Sequence, residues 1–168
     1  MKEKLQNHYK KLVPRQFVTA TVITLVILDI LNGIYLKLSW VKNGLSKNIV
    51  LIIIERMKLN VTDFDQGTMV EVGGLVDKSF NFFLFLILMN NLFFYLFYLR
   101  KKIWAQGYVL FYTFTGAIFS GLMIFDGYGM GLGWMIFNLM AIPLYAYLYL
   151  GVKVLKEETT LVPEKKAL

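Results

Sequence analysis

The 168-residue chain contains no cysteine, one histidine and three prolines. The missing cysteine excludes disulfides, thiol redox chemistry, cysteine-ligated zinc and iron–sulfur clusters. The single histidine, His8, sits in a polar N-terminal tail, so no apolar stretch offers a histidine ligand for haem. Charge is also scarce: 17% of residues are charged, against about 25% in an ordinary soluble domain. No strand–glycine-loop–helix fingerprint of a nucleotide site occurs. No nucleophile with its base, and no set of metal ligands, lies within the apolar segments. Neither an enzyme, nor a cofactor, nor a bound metal is expected.

What is present is apolar. Hydrophobic residues make up 57% of the chain and aromatics 16%. They concentrate in four long segments, residues 17–38, 80–99, 103–125 and 132–154. A hydrocarbon core about 30 Å thick needs about 20 apolar residues in a helix to cross it. The sequence therefore predicts an all-α integral membrane protein, with four transmembrane helices in an antiparallel bundle forming a single domain over residues 1–168.

The charges orient that bundle. Lys2, Lys4, Lys10, Lys11 and Arg15 precede the first span, Arg100-Lys101-Lys102 joins the second to the third, and Lys153, Lys156, Lys165 and Lys166 follow the fourth. The connection 39–79 balances five basic residues with five acidic ones, and 126–131 carries only Asp126. Basic loops stay cytoplasmic. Both tails (1–16 and 155–168) and the 100–102 turn are thus expected inside, with 39–79 and 126–131 outside. The net charge of +7 is explained by this bias and by anionic lipid headgroups, so nucleic acid is not an expected partner. The N-terminus begins like a signal peptide, but its apolar run is too long and no A-x-A site follows. It reads as a retained first span.

Within the outer connection, the apolar run at 49–54 is too short to span and predicts a short helical or interfacial segment. Residues 59–67 read as a turn region and 68–76 as a second short helix.

Polar residues inside the spans are the candidate functional positions. Asp29 lies near the middle of the first span, where an ionised carboxylate costs about 2.5–3.5 kcal/mol. On a helical wheel it shares a face with Val18, Thr21, Val22, Leu25, Asn32, Gly33 and Leu36, which should point at protein or water. Asn90 and Asn91 lie near the centre of the second span. Successive residues are about 100° apart on a helix, so the two amides cannot both face the same neighbour. One is expected to bond Asp29, and the other to face an adjacent subunit or a pore, which predicts a homo-oligomer. Asp29, Asn32, Asn90 and Asn91 thus form either an ion or proton site or a set of interhelical contacts. Thr113, Gly116, Ala117, Ser120 and Gly121 form a small-residue stripe suited to close helix packing. Asn138 shares a face with Gly131, Trp134, Ala141, Tyr145 and Tyr149, and Pro143 is expected to kink that helix.

Other motifs carry less. Gly127-Tyr128-Gly129 resembles the filter tripeptide of potassium channels, but no Thr-Val or pore helix precedes it, and it reads as a tight turn. Asp63, Asp65 and Gly67 match half of a calcium loop without its terminal glutamate. The Asn60-Val61-Thr62 sequon and the dilysine-like end Lys165-Lys166-Ala167-Leu168 fit the endoplasmic reticulum as an alternative to a bacterial cytoplasmic membrane. Two functions stay open. One is a homo-oligomeric channel or carrier with a mid-membrane polar cluster. The other is a non-transporting subunit, anchor or sensor that recruits a protein partner at its cytoplasmic or outer face.

Overall fold

The computed structural model describes residues 7–9, 14–58 and 65–165, and the side chains of all of these except 126–130 and 158–165. The sequon at 60–62, Asp63 and residues 166–168 lie outside the described residues, as do the side chains of Asp126, Lys165 and Gly127-Tyr128-Gly129; the backbone of 127–129 is helical and not the expected tight turn.

Among the described residues there is no strand. The main helices among the described residues are α1 (Pro14–Lys42), α2 (Leu45–Arg56), α3 (Gln66–Leu99), α4 (Ile103–Met130) and α5 (Leu132–Lys165). All but α2 are long and apolar enough to cross a membrane, so the chain is a helical membrane protein with four candidate transmembrane helices. Their exposed surface is made of large hydrophobics, among them Ile23, Ile27, Ile30 and Ile34 on α1 and Phe111, Phe114, Ile118 and Leu122 on α4. Only 17% of the most apolar window of α3, and the same share of that of α4, is buried. In water such surfaces would aggregate; in hydrocarbon they need no cover.

Local chemistry sets the helix ends. Pro14 opens α1, where its fixed φ suits a first turn and its missing N–H has no intrahelical role. Gly44 turns the chain from α1 into α2 at φ +57°, a left-handed conformation that costs glycine nothing. Asp65 caps α3: its Oδ1 accepts from the Thr68 backbone N–H at 2.9 Å. The Thr68 hydroxyl and then that N–H hold the Asp65 carboxyl below the usual carboxylate range. Between α3 and α4, Lys101 takes φ +57°. Its N–H donates to the Tyr98 carbonyl at 2.8 Å, and the Lys102 N–H donates to the Phe97 carbonyl at 3.2 Å. This pair of bonds closes a helix C-terminus and allows a turn of three cations, at a left-handed cost of about 1–2 kcal/mol for a non-glycine residue.

The apolar run at 49–54 becomes the core of α2, with Val50 and Ile54 buried one turn apart while Ile52, Ile53 and Met57 are exposed. Residues 68–76 do not form a separate helix. They are the beginning of α3, which runs unbroken for 34 residues, about 51 Å at 1.5 Å per residue. Aspartate ordinarily weakens a helix interior by competing for backbone donors. Here the Asp77 carboxylate is occupied: the Trp40 indole N–H donates to its Oδ1 at 2.6 Å. The same indole stacks on Phe80 with centroids 3.9 Å apart and planes at 10°, and the Lys37 ammonium lies 5.8 Å from that ring. Further out, Gly73 and Gly74 stand side by side in α3 with no atom close to where a side chain would be. At the other end of the chain, α5 continues through Pro143.

The chain divides into two compact units, one of Met1–Leu28 with Asn91–Leu168 and one of Asp29–Asn90. In the first, buried positions recur every three or four residues: Val18, Thr21, Leu25 and Leu28 on α1, Asn91, Tyr95 and Tyr98 on α3, Ala105, Val109 and Thr113 on α4, and Asn138, Ala141, Tyr145, Leu148 and Val152 on α5. These are the inward stripes of helices. Two glycines set how closely they meet. A Cβ on Gly116 would lie 2.7 Å from Tyr145 Cε1, and one on Gly151 would lie 2.1 Å from Phe17 Cζ. Beside Gly151, the Tyr9 hydroxyl donates to the Tyr147 carbonyl at 2.8 Å, and His8 Nε2 lies 3.4 Å from the Tyr147 hydroxyl.

Gly116→Ala is expected to destabilise the protein by about 1–3 kcal/mol through overpacking, read as a lower detergent-unfolding midpoint. Gly121→Ala has open space around it and should be neutral or stabilising, by up to about 1 kcal/mol. Burial, with a smaller contribution from the Tyr147 hydroxyl, pushes the Tyr9 pKa from 10.0 up to about 12. A raised folded-state pKa stabilises fully below the unfolded value, so this contribution should persist to about pH 10 and be lost as the pH rises toward 12. An ultraviolet tyrosinate titration should lose one group ionising near pH 12 in Tyr9→Phe.

Candidate functional site

A helix satisfies its own backbone, so chemistry inside the membrane falls to polar side chains. In the unit Asp29–Asn90, Asp29 is 6% exposed and Asn32 is partly buried. Both lie on the α1 face that also carries the partly buried Gly33 and Leu36. Asn90 is exposed, and it has no hydrogen-bond partner among the described residues. It lies on an α3 face with Phe83, Leu86, Ile87 and Phe93, all of them exposed.

In the other unit, Asn91 is 3% exposed. Its Oδ1 accepts a short hydrogen bond from the Tyr108 hydroxyl. The Tyr108 ring stacks on Phe94 with centroids 3.8 Å apart and planes at 13°. Trp104 packs against Phe93, Phe94 and Phe97, and Tyr95 meets Tyr112 edge-on. The α3–α4 turn thus closes on an aromatic seam with one amide–phenol bond at its deep end. Sequence reasoning missed this bond. A signal was available: Asn91 and Tyr108 lie at similar distances on either side of Lys101, so a tight turn there brings them to one depth.

Most other buried polar groups bond to their own helix. The Thr21 hydroxyl donates to the Phe17 carbonyl at 2.8 Å. The Thr113 hydroxyl donates to the Val109 and Leu110 carbonyls at 2.8 and 3.0 Å. Asn138 Nδ2 donates to the Trp134 carbonyl at 2.9 Å. Ser120 is buried, Ala117 and Gly116 are partly buried, and Gly121 is partly buried with open space at its Cα. Among the described residues two buried atoms, the Tyr98 hydroxyl and Gln106 Oε1, have no hydrogen-bond partner. The Thr21 hydroxyl approaches Tyr98 but lies outside bonding geometry.

Among the described residues no group of three histidine, cysteine or carboxylate side chains is placed to hold a metal ion. What the arrangement can do is join α3 to α4 through the Asn91–Tyr108 bond, and present one mid-span amide, Asn90, on the outside. No known protein family, curated protein or solved structure matches this chain.

Two tyrosines provide a contrast. Tyr108→Phe removes a donor to a buried amide and should cost about 0.6 kcal/mol, the average for interhelical bonds in membranes, and at most about 1.7 kcal/mol. Tyr98→Phe removes a hydroxyl that has no partner among the described residues and should be neutral or stabilising. Detergent-unfolding midpoints of the two variants give the comparison.

Proposed function

We propose that this chain is the subunit of a homo-oligomeric membrane channel or carrier, an antiparallel four-helix bundle with both termini and the 100–102 turn in the cytoplasm. The bacterial cytoplasmic membrane is its proposed location, and it is not an enzyme. The observation that carries this reading is the exposed Asn90. An amide facing hydrocarbon without a partner is costly. A second copy presents the same amide at the same depth, and amide–amide bonds across helices are a recognised means of association in lipid. Copies arranged about an axis place a ring of Asn90 amides at mid-membrane, where such groups replace part of the hydration of a passing ion or solute. The exposed apolar face around Asn90 is the surface on which the copies meet.

A second reading, a non-transporting subunit that anchors or recruits a partner, is favoured by the internal bonding of Thr21, Thr113 and Asn138. In that reading these groups serve only their own helices, and the Asn91–Tyr108 bond only holds α3 to α4.

Asn90→Leu separates the two. Oligomer dissociation in mild detergent should rise about threefold with each lost amide pair, and solute or ion flux in liposomes should fall in parallel. Flux that persists unchanged in the variant rejects Asn90 as part of the path, and absence of flux through the wild-type protein rejects the channel role. Wild-type protein without flux that carries a stoichiometric second protein supports the anchor.

A further inference from the structure

α4 and α5 share a surface groove of about 470 Å³, lined by Leu110, Phe111 and Phe114 from α4 and by Tyr149, Lys153, Lys156 and Glu157 from α5. Its volume is within the range of small-molecule sites, and its lining is graded. The Phe114 and Tyr149 rings stand 5.9 Å apart and form an aromatic wall. Lys153 and Lys156 follow Tyr149 at intervals of four and three residues, so all three share one face of α5. At 1.5 Å per residue the lysines lie about 6 Å and about 10 Å beyond the tyrosine along the helix. Gly107 helps to shape the cationic end: the Lys156 Nζ lies 3.9 Å from where a Gly107 Cβ would be, so α4 offers no side chain there and the ammonium lies over its backbone. Two lysines against one glutamate leave the rim net positive.

We infer that this groove binds one anionic phospholipid, with an acyl chain along Leu110, Phe111 and Phe114 and the phosphate held between Lys153 and Lys156. The order of the lining, apolar wall and then paired ammonium groups, follows the order of the lipid, chain and then phosphate. A free phosphate meets the lysines but leaves Phe111 and Phe114 uncovered. A zwitterionic lipid covers the wall but brings a cation to a rim that already has a positive excess. The same lysines stand at the end of the fourth apolar segment, at the depth where headgroups lie.

The test is native mass spectrometry of the full-length protein released from neutral detergent, titrated with phosphatidylglycerol and with phosphatidylcholine of identical chains. Phosphatidylglycerol should bind more tightly by about fivefold for each lysine engaged. That preference should disappear in the double variant Lys153→Gln, Lys156→Gln and survive in Lys153→Arg, Lys156→Arg. Phe111→Ala with Phe114→Ala should weaken both lipids while the ratio between them is kept. Lys101→Gln with Lys102→Gln, which removes equal charge elsewhere, should leave the preference within twofold. Equal binding of the two lipids, an unchanged preference in the double glutamine variant, or equal loss in the Lys101, Lys102 variant overturns the proposal. So does displacement of the bound lipid by millimolar inorganic phosphate, which would make the site one for free phosphate.

Discussion

Water is missing from around most of this chain, and every polar atom in its spans answers to that. In hydrocarbon an unpaired donor or acceptor has no solvent to fall back on. Helices dispose of the backbone groups, and side chains follow the same logic locally. Thr21 and Thr113 return their hydroxyl protons to carbonyls one turn back, and Asn138 does the same with its amide. Those bonds ask nothing of a neighbouring helix. Asn91 is different, because its partner, Tyr108, is on the next helix, so that one bond also fixes how α3 and α4 face each other. The stacking of Phe94 on Tyr108 holds the phenol in place for it.

The apolar outer surface, and the polar groups kept inside, follow from the same constraint. Isoleucine and phenylalanine line the outside, while threonine, serine and asparagine are found within, among buried tyrosine, valine and leucine. Apolar burial drives little association in lipid, so close approach has to supply it through dispersion. Gly116 against Tyr145, and Gly151 against Phe17, are where backbone and ring meet with no Cβ between them.

Much of this could be read from residue order, and the rest could not, for identifiable reasons. Span number came from run length, which hydrocarbon thickness dictates. The inward face of α1 came from the spacing of Val18, Thr21, Leu25 and Asp29. The extent of α3 was not legible, because what supports it is an indole 37 residues away in sequence bonding Asp77. Nor could the sequence tell which of Asn90 and Asn91 faces inward. That depends on helix rotation, set by Tyr95 and Tyr98, which lie on the Asn91 side. The small-residue stripe of α4 looked uniform on a wheel. Its members differ because a close contact needs a ring on the other helix, which Gly116 has and Gly121 lacks.

Gly73 and Gly74 give α3 a property that its unbroken helix conceals. Each interior glycine weakens a helix by about 0.5–1 kcal/mol relative to alanine, and glycine-containing pairs are common points of bending. The pair lies on the N-terminal side of the Trp40–Asp77 contact. A sideways pull on the first turns from Gln66 would therefore fray the rod at this joint before it disturbed the clamp, like a fuse that parts outside the circuit it protects.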